Sequence, residues 1–142
     1  MAKELKTTIN IKAPIEQVWT TLLDFKNHPN WNPFIKKIEG NSAVGSQLKI
    51  EIDGMKFQPT VLTNNQHQEF KWLGKLWVNG IFNGEHRFVL SANEDGSTQL
   101  NHQERFTGIL IPFMSKKFWK KTENGFLAMN EAMKKEVENN AV

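Results

Sequence analysis

The sequence has no cysteine and no tyrosine among its 142 residues. Without cysteine there is no disulfide, no thiolate metal site and no thiol nucleophile, so stability must come from the core. A cytoplasmic location is expected on the same ground. Aromatic residues are still plentiful, as five Trp and ten Phe; rings without hydroxyls favour cores and cavity walls over wet surfaces. No apolar run approaches the roughly 20 residues of a membrane-spanning helix, and Met1–Thr8 lacks the apolar stretch of a secretory signal. No stable membrane insertion is expected. The formal charge is only +3, with lysines paired at Lys36-Lys37, Lys116-Lys117 and Lys120-Lys121. Nucleic-acid binding calls for a denser basic patch and a recognition motif, so these pairs read as solvated faces and no nucleic acid is expected. The length suits one domain over residues 1–142, as a monomer or homodimer.

Periodicity supplies the organisation. Leu5, Thr7, Ile9 and Ile11 alternate with polar residues, which predicts a half-buried strand. Pro14 ends it and starts a short helix with Ile15, Val18, Trp19, Leu22 and Leu23 on one face. Residues 26–34, with two prolines, form a loop or helical turn holding His28, and Trp31 near a cavity mouth; His28 and His67 receive no role. Strands dominate to about residue 108. Asp53-Gly54 predicts a two-residue hairpin turn pairing Ile52 with Met55 and Ile50 with Phe57. Pro59 falls in the second strand, at an edge or bulge. A strand over 69–78 presents Phe70, Trp72, Leu76 and Val78 to one side, and long strands near 80–93 and 97–107 form the last hairpin. From Ser115, a candidate cap, to Glu138 the positions Phe118, Thr122, Phe126, Met129 and Met133 recur at helical spacing. The result is an α+β domain: a curved antiparallel sheet, apolar on one face, covered by a long C-terminal helix.

The last hairpin is the most informative segment. A three-residue loop at Glu94-Asp95-Gly96 pairs Asn93 with Ser97, so Leu90 faces Leu100, Phe88 faces His102, His86 faces Glu104 and Gly84 faces Phe106. The side-chain period of two puts all eight on the inner face. Two histidines and a carboxylate thus sit among Phe and Leu, where an unpaired charge is costly. One reading is a satisfied polar pair that orders the core or holds a ligand's polar end. Another is acid–base chemistry by His86 and Glu104, with His102 in support. His86, His102 and Glu104 also make a two-His-one-carboxylate set, but nothing else has metal-ligand spacing, so neither metal nor other cofactor is expected. Gly74, Gly84 and Gly108 suggest sheet curvature or close approach of a ligand, and Gly125 either space at a cavity wall or a helix bend.

The stretches Ala13–Trp19, Trp31–Phe34, Pro59–Leu62, Phe70–Gly74, Phe82–Phe88 and His102–Gly108 resemble the polyketide cyclase/dehydrase-like branch of the SRPBCC superfamily, the START and birch-pollen-allergen type of helix-grip domain. The resemblance covers nearly the whole chain. It implies a seven-stranded sheet gripping the C-terminal helix around a deep cavity, and a family that binds lipids, sterols, hormones and polyketides or cyclises polyketides. The ligand-binding set expected here is Trp72, His86, Phe88, Leu90, His102, Glu104, Phe106, Phe118, Phe126, Met129 and Met133. The leading reading is binding of a small hydrophobic or aromatic molecule. The alternatives are a cyclase or dehydratase using His86 and Glu104, and a protein-interaction module like a related helix-grip family that stimulates the Hsp90 chaperone. The outer sheet face is charged and suggests no docking patch.

Overall fold

A computed structural model describes residues 2–76 and 78–140. The elements run β1 (Ala2–Ile11), α1 (Ile15–Leu23), a 3-10 turn (Phe25–Asn27), α2 (His28–Trp31), β2 (Ile35–Glu39), β3 (Lys49–Ile52), β4 (Met55–Phe57), β5 (Thr60–Asn65), β6 (Glu69–Leu76), β7 (Phe82–Ala92), β8 (Thr98–Thr107), a second 3-10 turn (Ile111–Phe113) and α3 (Lys116–Asn140). The fold is the expected α+β helix grip, with one correction. Among the described residues eight strands form two sheets, five-stranded β1-β8-β7-β6-β5 and three-stranded β2-β3-β4, joined by an isolated bridge between Gln47 and Thr60.

Pro59 explains the break. It lies not inside a strand but between β4 and β5, where its missing N–H ends one ladder and its carbonyl accepts from Leu48 N–H (2.8 Å) to begin the join to the other. β6 stops at Leu76, and Val78 is exposed rather than inward; residue 77 of the predicted strand lies outside the described residues.

Both hairpin registers hold. Ile52 pairs with Met55 and Ile50 with Phe57 around Asp53 and Gly54, which have the two positive φ angles of a type I′ turn (53° and 79°). Gly84 pairs with Phe106, His86 with Glu104, Phe88 with His102 and Leu90 with Leu100. Gly96 at φ 88° supplies the left-handed residue that this loop requires.

Helix α3 is capped by Ser115, whose Oγ accepts from Phe118 N–H (3.1 Å). Its buried residues are Phe126, Met129, Asn130, Met133 and Val137, all in the C-terminal part of the helix. That part is packed against the inner face of the large sheet, where Phe70, Phe88 and Leu100 are also fully buried. Each such side chain contributes roughly 1.5–3 kcal/mol. The N-terminal part of α3 buries nothing completely, which leaves room between helix and sheets.

Candidate functional site: a cavity with a buried polar relay

That room is a cavity of about 510 Å3, within the roughly 300–1,000 Å3 of small-molecule sites. The small sheet lines it with Ile50, Ile52, Met55 and Phe57, the large sheet with Trp72, Leu76, Phe82 and Phe106, and α3 with Phe118, Thr122, Gly125 and Ala128. Lys36, Lys75, Lys121 and Asp53 also border it. Lys121 and Asp53 form an ion pair (2.6 Å) from α3 to the β3–β4 hairpin, and because both are exposed it holds the hairpin only weakly.

Of the residues nominated from sequence, Trp72, His86, Glu104, Phe106 and Phe118 line the cavity. Phe88, Leu90, His102, Phe126, Met129 and Met133 are not in its lining and are buried in the core. Trp31 does not border it either. It lies on α2 against His28, and Pro33 and Phe34 form that part of the wall. Phe34 and the small-sheet residues were missed, although the predicted pairing of Ile50 with Phe57 already put them on one face. Gly125 is the space-maker: a Cβ there would come within 2.6 Å of Phe34 Cε1.

The polar end is more extended than His86 and Glu104. His86 Nδ1 lies 3.2 Å from Glu104 Oε1, and His86 Nε2 lies 2.6 Å from His102 Nε2. His102 Nδ1 meets Asn130 Oδ1 (2.8 Å), Asn130 Nδ2–H donates to Thr7 Oγ1 (2.9 Å), and Thr7 Oγ–H donates to the His102 carbonyl (2.8 Å). Thr7 was on the predicted inner face. Asn130 was missed, although it lies four residues after Phe126 and three before Met133, on the apolar stripe.

The chain of bonds orders its own protons. The Thr7 hydroxyl is committed to a backbone carbonyl, so Asn130 must offer it N–H and turn its oxygen to His102. His102 Nδ1 is then the donor and its Nε2 a lone pair, so His86 Nε2 must carry a proton. A neutral His86 would therefore turn its Nδ1 lone pair toward Glu104 Oε1, 3.2 Å away. Glu104 and His86 thus form a close polar pair beside the cavity. Stacking fixes the rings: His86 on Trp72 (4.7 Å) and His102 on Phe126 (4.3 Å). The two Nε2 atoms point at each other and Glu104 lies on the far side of His86, so the three groups do not converge on a metal position. Among the described residues no cluster of three or more His, Cys, Asp or Glu forms such a site.

Gly84 makes the arrangement possible. A Cβ there would overlap Glu104 Oε2 and lie 3.2 Å from its Cδ, so this glycine seats a carboxylate, a reason not foreseen from sequence. Since the obstructed atom ends a flexible side chain, Gly84→Ala is expected to fold with a loss of only about 1 kcal/mol. It should nevertheless separate Glu104 from His86, which the His86 ring-proton NMR shifts would report. Unchanged shifts would refute the seat.

Burial, and then electrostatic repulsion from the His86 ring, hold His102 well below the ordinary histidine range. His28 is also lowered by burial; it sits in the single helical turn of α2, bonded to Leu22 O (2.7 Å) and to Asn32 Nδ2 (3.1 Å). Both resist protonation when folded but accept a proton freely near 6.5 when unfolded. Below that pH the unfolded chain binds more protons, so stability falls with pH by up to ~1.4 kcal/mol per unit for each histidine. Urea midpoints between about pH 7 and pH 5 would show this decline; a flat profile would contradict it.

The outer face of the large sheet carries ion pairs, Lys71–Glu85 (3.3 Å), Arg87–Glu69 (2.7 Å) and Arg105–Glu4 (3.8 Å). Among the described residues no helix is long and apolar enough to cross a membrane.

A family model described as polyketide cyclase / dehydrase and lipid transport matches residues 2–139. Solved structures agree on the fold. A START superfamily protein from Mycobacterium smegmatis is 19% identical with a TM-score of 0.77, over 96% of this chain and 97% of that one. Protein MLL2253 from Mesorhizobium loti is 17% identical with a TM-score of 0.77, over 99% of both chains. The Zhui aromatase/cyclase from Streptomyces sp. R1128 is 17% identical with a TM-score of 0.75, over 100% of this chain and 97% of that one. No curated protein matches.

Proposed function

The chain belongs to the polyketide cyclase / dehydrase and lipid transport family, and from that membership and the cavity we propose that it binds a small hydrophobic or aromatic molecule bearing one polar group. The observation that carries this reading is an apolar cavity with the close His86–Glu104 pair in its wall. The ligand's body lies against Trp72, Phe106, Phe118 and the small sheet, and its oxygen meets Glu104 and His86. Thermal-shift screening of a lipid and polyketide panel, with native mass spectrometry of gently purified protein, tests it. A true ligand at about 100 times its Kd adds about 2.7 kcal/mol of stability. A panel without any shift, and a protein purified without any bound mass, would count against it.

The ordered relay favours a second reading, acid–base catalysis on a bound carbonyl compound. Glu104 and His86 exchange the proton, while His102 and Asn130 position the ring. Glu104→Gln keeps the size and a polar group beside His86 Nδ1 but removes the group that can take up and release a proton. On an identified substrate it is expected to keep binding and lose about 100-fold or more in turnover. Full turnover would leave binding as the sole function.

A further inference from the structure

Val44, Met55, Leu62 and Leu127 are exposed large apolar side chains on four separate segments, but three others come together. Val78 (63% exposed), Ile109 (65%) and Phe113 (82%) gather at one end, on the β6–β7 and β8–α3 connections. Ile109 N–H donates to Gly80 O (3.0 Å) and Leu110 N–H to Ile81 O (3.1 Å), so the two connections form one surface. Single exposed apolar residues are ordinary; a group on adjoining turns marks an interaction site.

The same connection leads into α3, which opens with Lys116, Lys117, Lys120 and Lys121 and has no acidic residue in its first turn. Cations there oppose the helix dipole, so helix stability does not account for them. Lys120 pairs with Glu123 and Lys121 with Asp53, while Lys116 and Lys117 have no ion pair among the described residues. Lys121 and Phe118 also border the cavity, and Phe118 packs edge-on to Phe82 at the start of β7 (6.1 Å). The exposed apolar groups, the unpaired lysines and the cavity rim therefore share one end of the molecule.

We propose that this end adsorbs reversibly to an anionic lipid surface. Val78, Ile109 and Phe113 enter the boundary between headgroups and acyl chains, and Lys116 and Lys117 meet the headgroup phosphates. Side chains projecting singly from turns suit a fluid surface, whereas an acidic protein partner would need a rigid recess matching each one. Adsorption would bring the cavity rim to the source of an apolar ligand, but the surface stands whether or not the cavity reading holds.

Co-sedimentation with vesicles of phosphatidylcholine alone, and of equal parts phosphatidylcholine and phosphatidylglycerol, tests the proposal. Binding to the anionic vesicles, weakened by salt, is expected. Ile109→Ser with Phe113→Ser should weaken it by roughly tenfold or more. Lys116→Gln with Lys117→Gln should weaken it by about fivefold for each lysine and flatten the salt dependence. All four positions are at the surface, and an unchanged melting temperature would verify the fold of each variant. Failure to sediment with anionic vesicles overturns the proposal, and retention on an immobilised acidic protein would then make protein the partner. Sedimentation indifferent to the serine substitutions overturns it as well.

Discussion

Asn130→Leu is expected to lower the unfolding free energy by about 3 kcal/mol, with almost no change in side-chain volume. Leucine fills the space but returns none of the hydrogen bonds. It leaves the His102 Nδ1–H without an acceptor and Thr7 Oγ1 without its donor. His102 is completely buried, so water cannot replace the lost partner. An unsatisfied buried donor costs about 1–3 kcal/mol, and here the loss also releases the tautomer on which the His86 contact depends. The downstream effect separates this variant from an ordinary core lesion: with His102 no longer held, the His86 tautomer set by the Nε2–Nε2 contact loses its fixed state. Urea unfolding gives the stability, and histidine NMR the tautomers. A loss under about 1 kcal/mol would mean that the relay is incidental to the fold.

Gly108→Ala is expected to cost about 3 kcal/mol or more, from one methyl group. Gly108 has φ 126°, a region that L side chains rarely adopt. A Cβ there would overlap the Ile81 carbonyl oxygen, lie 2.6 Å from its carbon and reach 3.0 Å from Phe82 N. These atoms are backbone and cannot swing aside. The two connections would have to part, breaking the Ile109–Gly80 and Leu110–Ile81 hydrogen bonds. Gly84 provides the contrast, because its obstruction is the end of a glutamate side chain. The same substitution thus disturbs the fold at one glycine and the site at the other. Thermal melts of both variants would test the comparison, and equal losses would overturn it.

Much of this was legible in the sequence because strand pairing follows short-range rules. Once Gly96 sets the loop length, a period of two places His86 opposite Glu104 and Phe88 opposite His102 without knowledge of anything else. Helical spacing likewise identifies the buried stripe of α3, and Pro59, lacking an N–H, marks where a ladder must fail. It does not say that the strands on either side enter different sheets, since that depends on which partners compete for them.

What the sequence determined by itself is therefore the α+β order, the hairpin registers and the polar spot on an apolar face. Only the tertiary structure decided that Phe88, Leu90, Phe126, Met129 and Met133 are core while Phe34, Ile50 and Phe57 line the cavity. Burying a side chain in solid core and lining a void use the same residue types, and the difference lies in how far α3 stands off the sheets along its length. Asn130 reaches Thr7 across 123 positions of chain, so the relay exists only once helix and sheet have docked.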